Sequence, residues 1–211
     1  MSSQTENLKL IKPEVNDEMA QTISDLATNF ELIDQYSDVS LDDYPKTGTW
    51  DKNKKVWNKN IKIGEYVGWV NLREGVAAQE WEVLHHYTIG ELIHAPGNNG
   101  HYYKCIQTGY SGVKTPLFPV ASTATVNDTR GASTWLPTKF YDLFDIVLPS
   151  IDNGRFYVCS VAGVSDTSEP NWATPSLSTT RDSSITWTAY RITRWEEQGV
   201  STLFRPFGKI E

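Results

Sequence analysis

The sequence predicts a mainly β protein in which an N-terminal α-helix is followed by small antiparallel β modules in tandem. Three observations predict it. Apolar residues recur at helical spacing only between residues 13 and 36. From residue 50 onward the chain reads as short runs of β-branched and aromatic residues broken by Gly, Pro, Asn and Asp. A single 54-residue offset then lays much of the C-terminal half onto itself. Composition agrees: hydrophobic residues make up only 39% of 211 residues, yet eight are Trp and ten Tyr. Small domains lacking a large aliphatic core can rest on a few rings, each burying about 150–250 Å².

Residues 1–36 carry the helix. Pro13 and Glu14 suit its first turn, Asn16 and Asp17 are alternative caps, and acidic residues gather near its start as the macrodipole prefers. Met19, Ile23, Leu26, Phe30 and Ile33 follow a 4-3-4-3 spacing. That is the seam of a coiled coil, and over so short a span it equally fits an amphipathic helix packed on its own domain. Residues 37–49, with Asp42, Asp43, Pro45 and Gly48, read as a linker. Residues 50–80 read as a small β unit with a strand around Tyr66 to Leu72.

Two modules follow, at 81–134 and 135–189. The offset pairs Trp81 with Trp135, Tyr87 with Tyr141, Glu91 with Asp145, Gly100 with Gly154, Tyr103 with Tyr157, Cys105 with Cys159, Phe118 with Trp172 and Asp128 with Asp182. Thr134-Trp135 is echoed by Thr186-Trp187 at a spacing of 52, so the second copy is expected to end two residues sooner. Asn153-Gly154 and the matching Gly97-Asn98-Asn99-Gly100 signal hairpins. The cysteines occupy one place in two copies and so are expected as separate, buried, free thiols. Residues 190–211 read as a last strand and tail.

Several function classes find little support. The net charge of −7 disfavours nucleic acid. No run has the length and apolarity of a membrane span or a signal peptide. No phosphate loop, nucleophile elbow or zinc-protease motif occurs, and no enzyme activity, cofactor or metal is expected. His85, His86, His94 and His101 all fall in the first module, so the shared role of the two copies does not depend on histidine. The recurring carboxylates Glu91/Asp145 and Asp128/Asp182 lie in turn-like contexts where such groups cap backbone amides. What remains is stacking: the C–H face of a sugar ring packs on a flat aromatic. The strand aromatics are expected in the core. Trp172 and Phe118, each two residues after a proline, and Tyr110 before Ser111 are the candidates for glycan contact.

The repeated order Trp, Tyr-x-x-x-Glu/Asp, Gly-His/Arg-Tyr/Phe-Tyr-x-Cys, Gly-x-Ser, Pro-x-Phe/Trp, Thr-Trp resembles the small chitin-binding-type carbohydrate-binding modules, types 5 and 12, of phage and prophage tail proteins. It covers about residues 81–187. Separately, Pro13 to Ile33 resembles the N-terminal helix of tail-fibre and minor structural proteins of siphophages. Together the resemblances imply a tail-fibre or baseplate-associated protein, assembled in the host cytoplasm and placed in the virion. They imply association into homo-oligomers, trimers above all, through Met19, Ile23, Leu26, Phe30 and Ile33. Its partners would be other virion proteins and a host cell-wall glycan, or virion proteins alone if the role is architectural. In such modules an exposed aromatic pair holds the sugar, whereas here Phe118 stands opposite Trp172 and the second copy has no counterpart of Tyr110.

Overall fold

A computed structural model describes residues 3–211, Gln35 and Tyr36 by their backbone alone. It is mainly β with one N-terminal helix, as the sequence predicts. The chain divides into two compact units, Met1–Tyr44 with Lys55–Val70 and Pro206–Glu211, and Pro45–Lys54 with Asn71–Arg205.

The helix α1 spans Met19–Tyr36, shorter at its start than the sequence suggests. Residues 13–18 turn instead: the Glu14 amide donates to the Asp17 carboxylate at 2.7 Å, and the Asp17 amide to the Glu14 carbonyl. Before it, a small antiparallel bridge joins Gln4 and Ile11. Asn29 locks this segment to the helix, its amide oxygen accepting from the Ile11 amide and its NH₂ donating to the Ile11 carbonyl, both at 2.7 Å. A side-chain amide mimics a strand here, which holds Asn29 and Asp25 on the buried side of α1.

The expected linker is partly ordered as sheet. Val39–Leu41 pairs parallel with Lys55–Asn58, which pairs antiparallel with Tyr66–Asn71, and Phe204–Lys209 joins the far side of that strand. A run of three residues, Val39-Ser40-Leu41, is too short for alternation to show against the Asp and Pro signals that follow. Trp57 meets Phe207 edge to face at 5.6 Å.

The second unit contains two five-stranded sheets of one topology. The first runs Thr125–Asn127, Arg194–Val200, His101–Gln107, Leu92–His94, Gln79–Glu80; the second runs Thr179–Asp182, Ile185–Arg191, Arg155–Val161, Ile146–Leu148, Ser133–Thr134. Both end in a parallel edge strand among otherwise antiparallel neighbours. The segment crossing between the parallel strands carries Trp81 and Tyr87, or Trp135 and Tyr141, into the core.

The strand order places the module boundaries differently from the sequence reading. Ser133–Thr134 is the edge of the second sheet, not the close of the first, and the first sheet takes its long central strand from Arg194–Val200. The counterpart of Trp187 is therefore Trp195 rather than Trp135. In the second module Ser183 and Ser184 close a tight hairpin between Asp182 and Ile185. In the first, residues 129–192 stand where that turn would be, between Asp128 and Thr193, whose backbones still bond at 2.9 Å. The second module is thus inserted into a hairpin of the first. The expected Asn-Gly hairpin is also different, since residues 149–154 form a longer turn with Gly154 at φ 73°.

Candidate interaction surfaces

Each core is organised by one buried carboxylate. Asp128 accepts from the indole N–H of Trp81 at 2.7 Å and of Trp195 at 2.9 Å, and from the Gly112 amide at 2.9 Å. Asp182 does the same with Trp135, Trp187 and the Asp166 amide at 2.8, 3.0 and 2.8 Å. Both aspartates are buried. Burial pushes the Asp128 carboxyl up, against the two indoles and the amide, which favour its ionised form. Sequence reasoning placed these residues in turns capping backbone amides, which the Gly112 and Asp166 amides match, but missed the two indoles of each clasp. The available signal was that Trp81–Asp128 and Trp135–Asp182 share a separation of 47 residues.

The other recurring residues are also structural. Tyr103 and Tyr157 donate to the Pro119 and Ala173 carbonyls, and Ser111 and Ser165 tie down a turn within the crossing segment, accepting from the His85 and Lys139 amides and donating to the Glu82 and Leu136 carbonyls. Glu91 accepts from Thr88, and Asp145 from the Asp142 amide, as turn caps. Cys105 and Cys159 are free and buried, as their matched positions suggest. Burial, then the nearby Asp145 charge, pushes the Cys159 thiol up to about 11.

The three glycan candidates are half-buried. Phe118 packs on Tyr103 at 4.4 Å and Trp172 on Tyr157 at 4.2 Å, as equivalent lids over the two cores. The Trp172 indole donates to Glu169 at 2.7 Å. Burial opposes ionisation of Glu169, but hydrogen bonds from Ser150 and Trp172 outweigh it and hold that carboxyl low. Tyr110 lies between the modules, edge to face with Tyr190 at 5.2 Å and with His86 at 4.9 Å, beside Leu84 and Val113 on the Ile146–Phe156–Val158 cluster. Each of the three therefore has part of its ring committed to packing and part left accessible.

The helix seam is the reverse case. Met19, Ile23, Leu26, Phe30 and Ile33 are all exposed, Met19 at 81% and Phe30 at 67%. Asp25 and Asn29 occupy the buried face, so the apolar stripe points away from the chain's own contacts. A contiguous row of large apolar residues in water is a candidate partner surface.

One cleft stands out in the first module. It has a volume of about 310 Å³ and lies among Gly48, Glu82, His85, Tyr87, Gly90 and Glu91. Its far wall is set by the pairing of Thr49–Trp50 with Gly75–Val76 and by the Ala77 amide donating to the Gly48 carbonyl. His85 lies 4.6 Å from the Tyr87 ring and 3.4 Å from the Glu82 carboxylate. Burial, followed by a bond from the Glu82 amide and nearby carboxylates, leaves the Tyr87 phenol at about 12. His101 instead binds buried Glu197 at 2.7 Å, and His94 its neighbour Ala95, so the four histidines do not converge. Among the described residues no helix is long and apolar enough to cross a membrane, and no group of three or more His, Cys, Asp or Glu residues could hold a metal.

No family model matches the chain, and no similar curated protein or solved structure was found.

Proposed function

We propose that this chain is a non-enzymatic structural component of a bacteriophage particle, a tail-fibre or baseplate-associated protein that self-associates through α1, as a trimer. Its β modules act as spacers and docking units toward other virion proteins. The observation that supports this best is the contrast between repeat and helix. The rings that define the repeat fill two cores, whereas the five seam residues of α1 are exposed at heptad spacing. The phage assignment and a location in the virion rest on the likeness of residues 81–187 and Pro13 to Ile33 to phage structural proteins. Light scattering is the test. The wild-type chain is expected at three times its monomer mass, and Ile23→Asp with Phe30→Asp at the monomer mass. An unchanged mass would remove the seam.

A second reading, in which a module touches host-surface glycan, is favoured by the cleft of the first module rather than by Trp172, Phe118 or Tyr110. Array binding by the intact chain distinguishes it from the architectural role.

A further inference from the structure

Comparing the two copies isolates what the fold itself does not require. Positions shared by both are committed to the cores and turns, so what makes a site peculiar to one copy must lie where they differ and space opens. The cleft meets both conditions. The Gly90 amide donates to the Cys105 carbonyl at 2.9 Å, and the Phe144 amide to the Cys159 carbonyl at 3.0 Å, so these residues hold one position in one turn. In the second module Phe144 stands there in the left-handed region at φ 68°. In the first, Gly90 has nothing within 4 Å of where a Cβ would lie. Glu82 and His85 replace Leu136 and Lys139 on the same wall, and Gly48 is drawn from the bend before the Thr49–Trp50 strand, outside the repeat.

From this asymmetry we infer that the cleft of the first module is a binding site for the end of a short uncharged saccharide, of one or two rings. The inference rests on the glycan reading above and moves its site away from the aromatic lids. The chemistry of the lining selects the class. The cleft carries both signs, Glu82 and Glu91 against Lys46, and so has no large surplus to hold a strongly ionic ligand. A purely apolar ligand would strip water from carboxylates without replacing their hydrogen bonds. A sugar supplies hydroxyls to the exposed Glu82 and Glu91 and presents a C–H face to the accessible His85 ring and the half-buried Leu92, with Tyr87 and Ile93 forming the buried floor behind them. A volume of about 310 Å³ lies at the small end of ligand pockets, which run from about 300 to 1,000 Å³.

The test is saturation-transfer NMR on the intact chain with a panel of neutral mono- and disaccharides, N-acetylated ones included. Two variants import the second module's residues, Gly90→Phe to crowd the rim of the cleft and Glu82→Leu to remove an acceptor at an exposed position. Thermal melting checks that both fold. Binding of at least one sugar by the wild type, weakened about tenfold in each folded variant, supports the site. Equal binding by wild type and both variants overturns it while leaving the glycan reading in place. No binding of any sugar by the wild type overturns both.

Discussion

The two modules share a core but not a means of closing it. In the second, Asp182 and Trp187 of the clasp are five residues apart across a serine hairpin; in the first, Asp128 and Trp195 are 67 apart. The same three donors converge on the same carboxylate in each. The geometry of a small β core is therefore indifferent to connectivity, provided the ends of whatever is inserted lie close together. Stability should be less indifferent. If the second module unfolds, it becomes a long flexible loop inside the first, and closing such a loop rather than a two-residue turn costs about 3 kcal/mol. If the first unfolds, the strands of the second remain contiguous.

Breaking each clasp is the strongest probe of that asymmetry. Asp128→Ala or Asp182→Ala leaves two buried indole N–H groups without an acceptor, at about 1–3 kcal/mol each, and each is expected to destabilise its own module by about 3–5 kcal/mol. Hydrogen exchange should show Asp128→Ala opening the first sheet alone and Asp182→Ala opening both. Equal, independent opening in the two variants would refute the nesting argument.

Trimming the aromatic lids is expected to have a smaller effect. Half-buried Trp172→Ala and Phe118→Ala should each cost about 2–3 kcal/mol in urea unfolding, below the range for fully buried rings. Loss of sugar binding without loss of stability would return these residues to the role the sequence suggested.

The smallest effect concerns pH. Burial raises the Asp128 carboxyl in the folded state above its unfolded value, so the folded state holds its proton over a window where the unfolded chain has lost it. The contribution is full below the unfolded carboxylate range and is lost as pH rises through the folded value. The first module should therefore weaken slightly as pH rises through that window, and Asp128→Asn should flatten the dependence. A rise in stability over the same window would contradict the burial argument.

Much of this was legible in the residues. The 54-residue offset identified the repeat because equivalent core positions need the same large side chains wherever they recur. The heptad spacing from Met19 to Ile33 marked a stripe that is indeed exposed. The glycan candidates were harder: a ring after a proline in a loop looks exposed, and only packing shows that Trp172 and Phe118 fold back over Tyr157 and Tyr103. The cleft left no local signal, because its walls come from Gly48, Glu82 and Glu91, which only the fold brings together.

The sequence by itself determined the class of fold, the existence of two like modules and the apolar face of the helix. Those follow from side-chain periodicity and self-similarity, which are local properties of the chain. Tertiary structure alone decided which strand completes which sheet. Arg194–Val200 lies closer in sequence to the second module but belongs to the first. Its placement is held by Trp195 reaching Asp128 and by backbone pairing with His101–Gln107, contacts between residues far apart in the chain that no local pattern encodes.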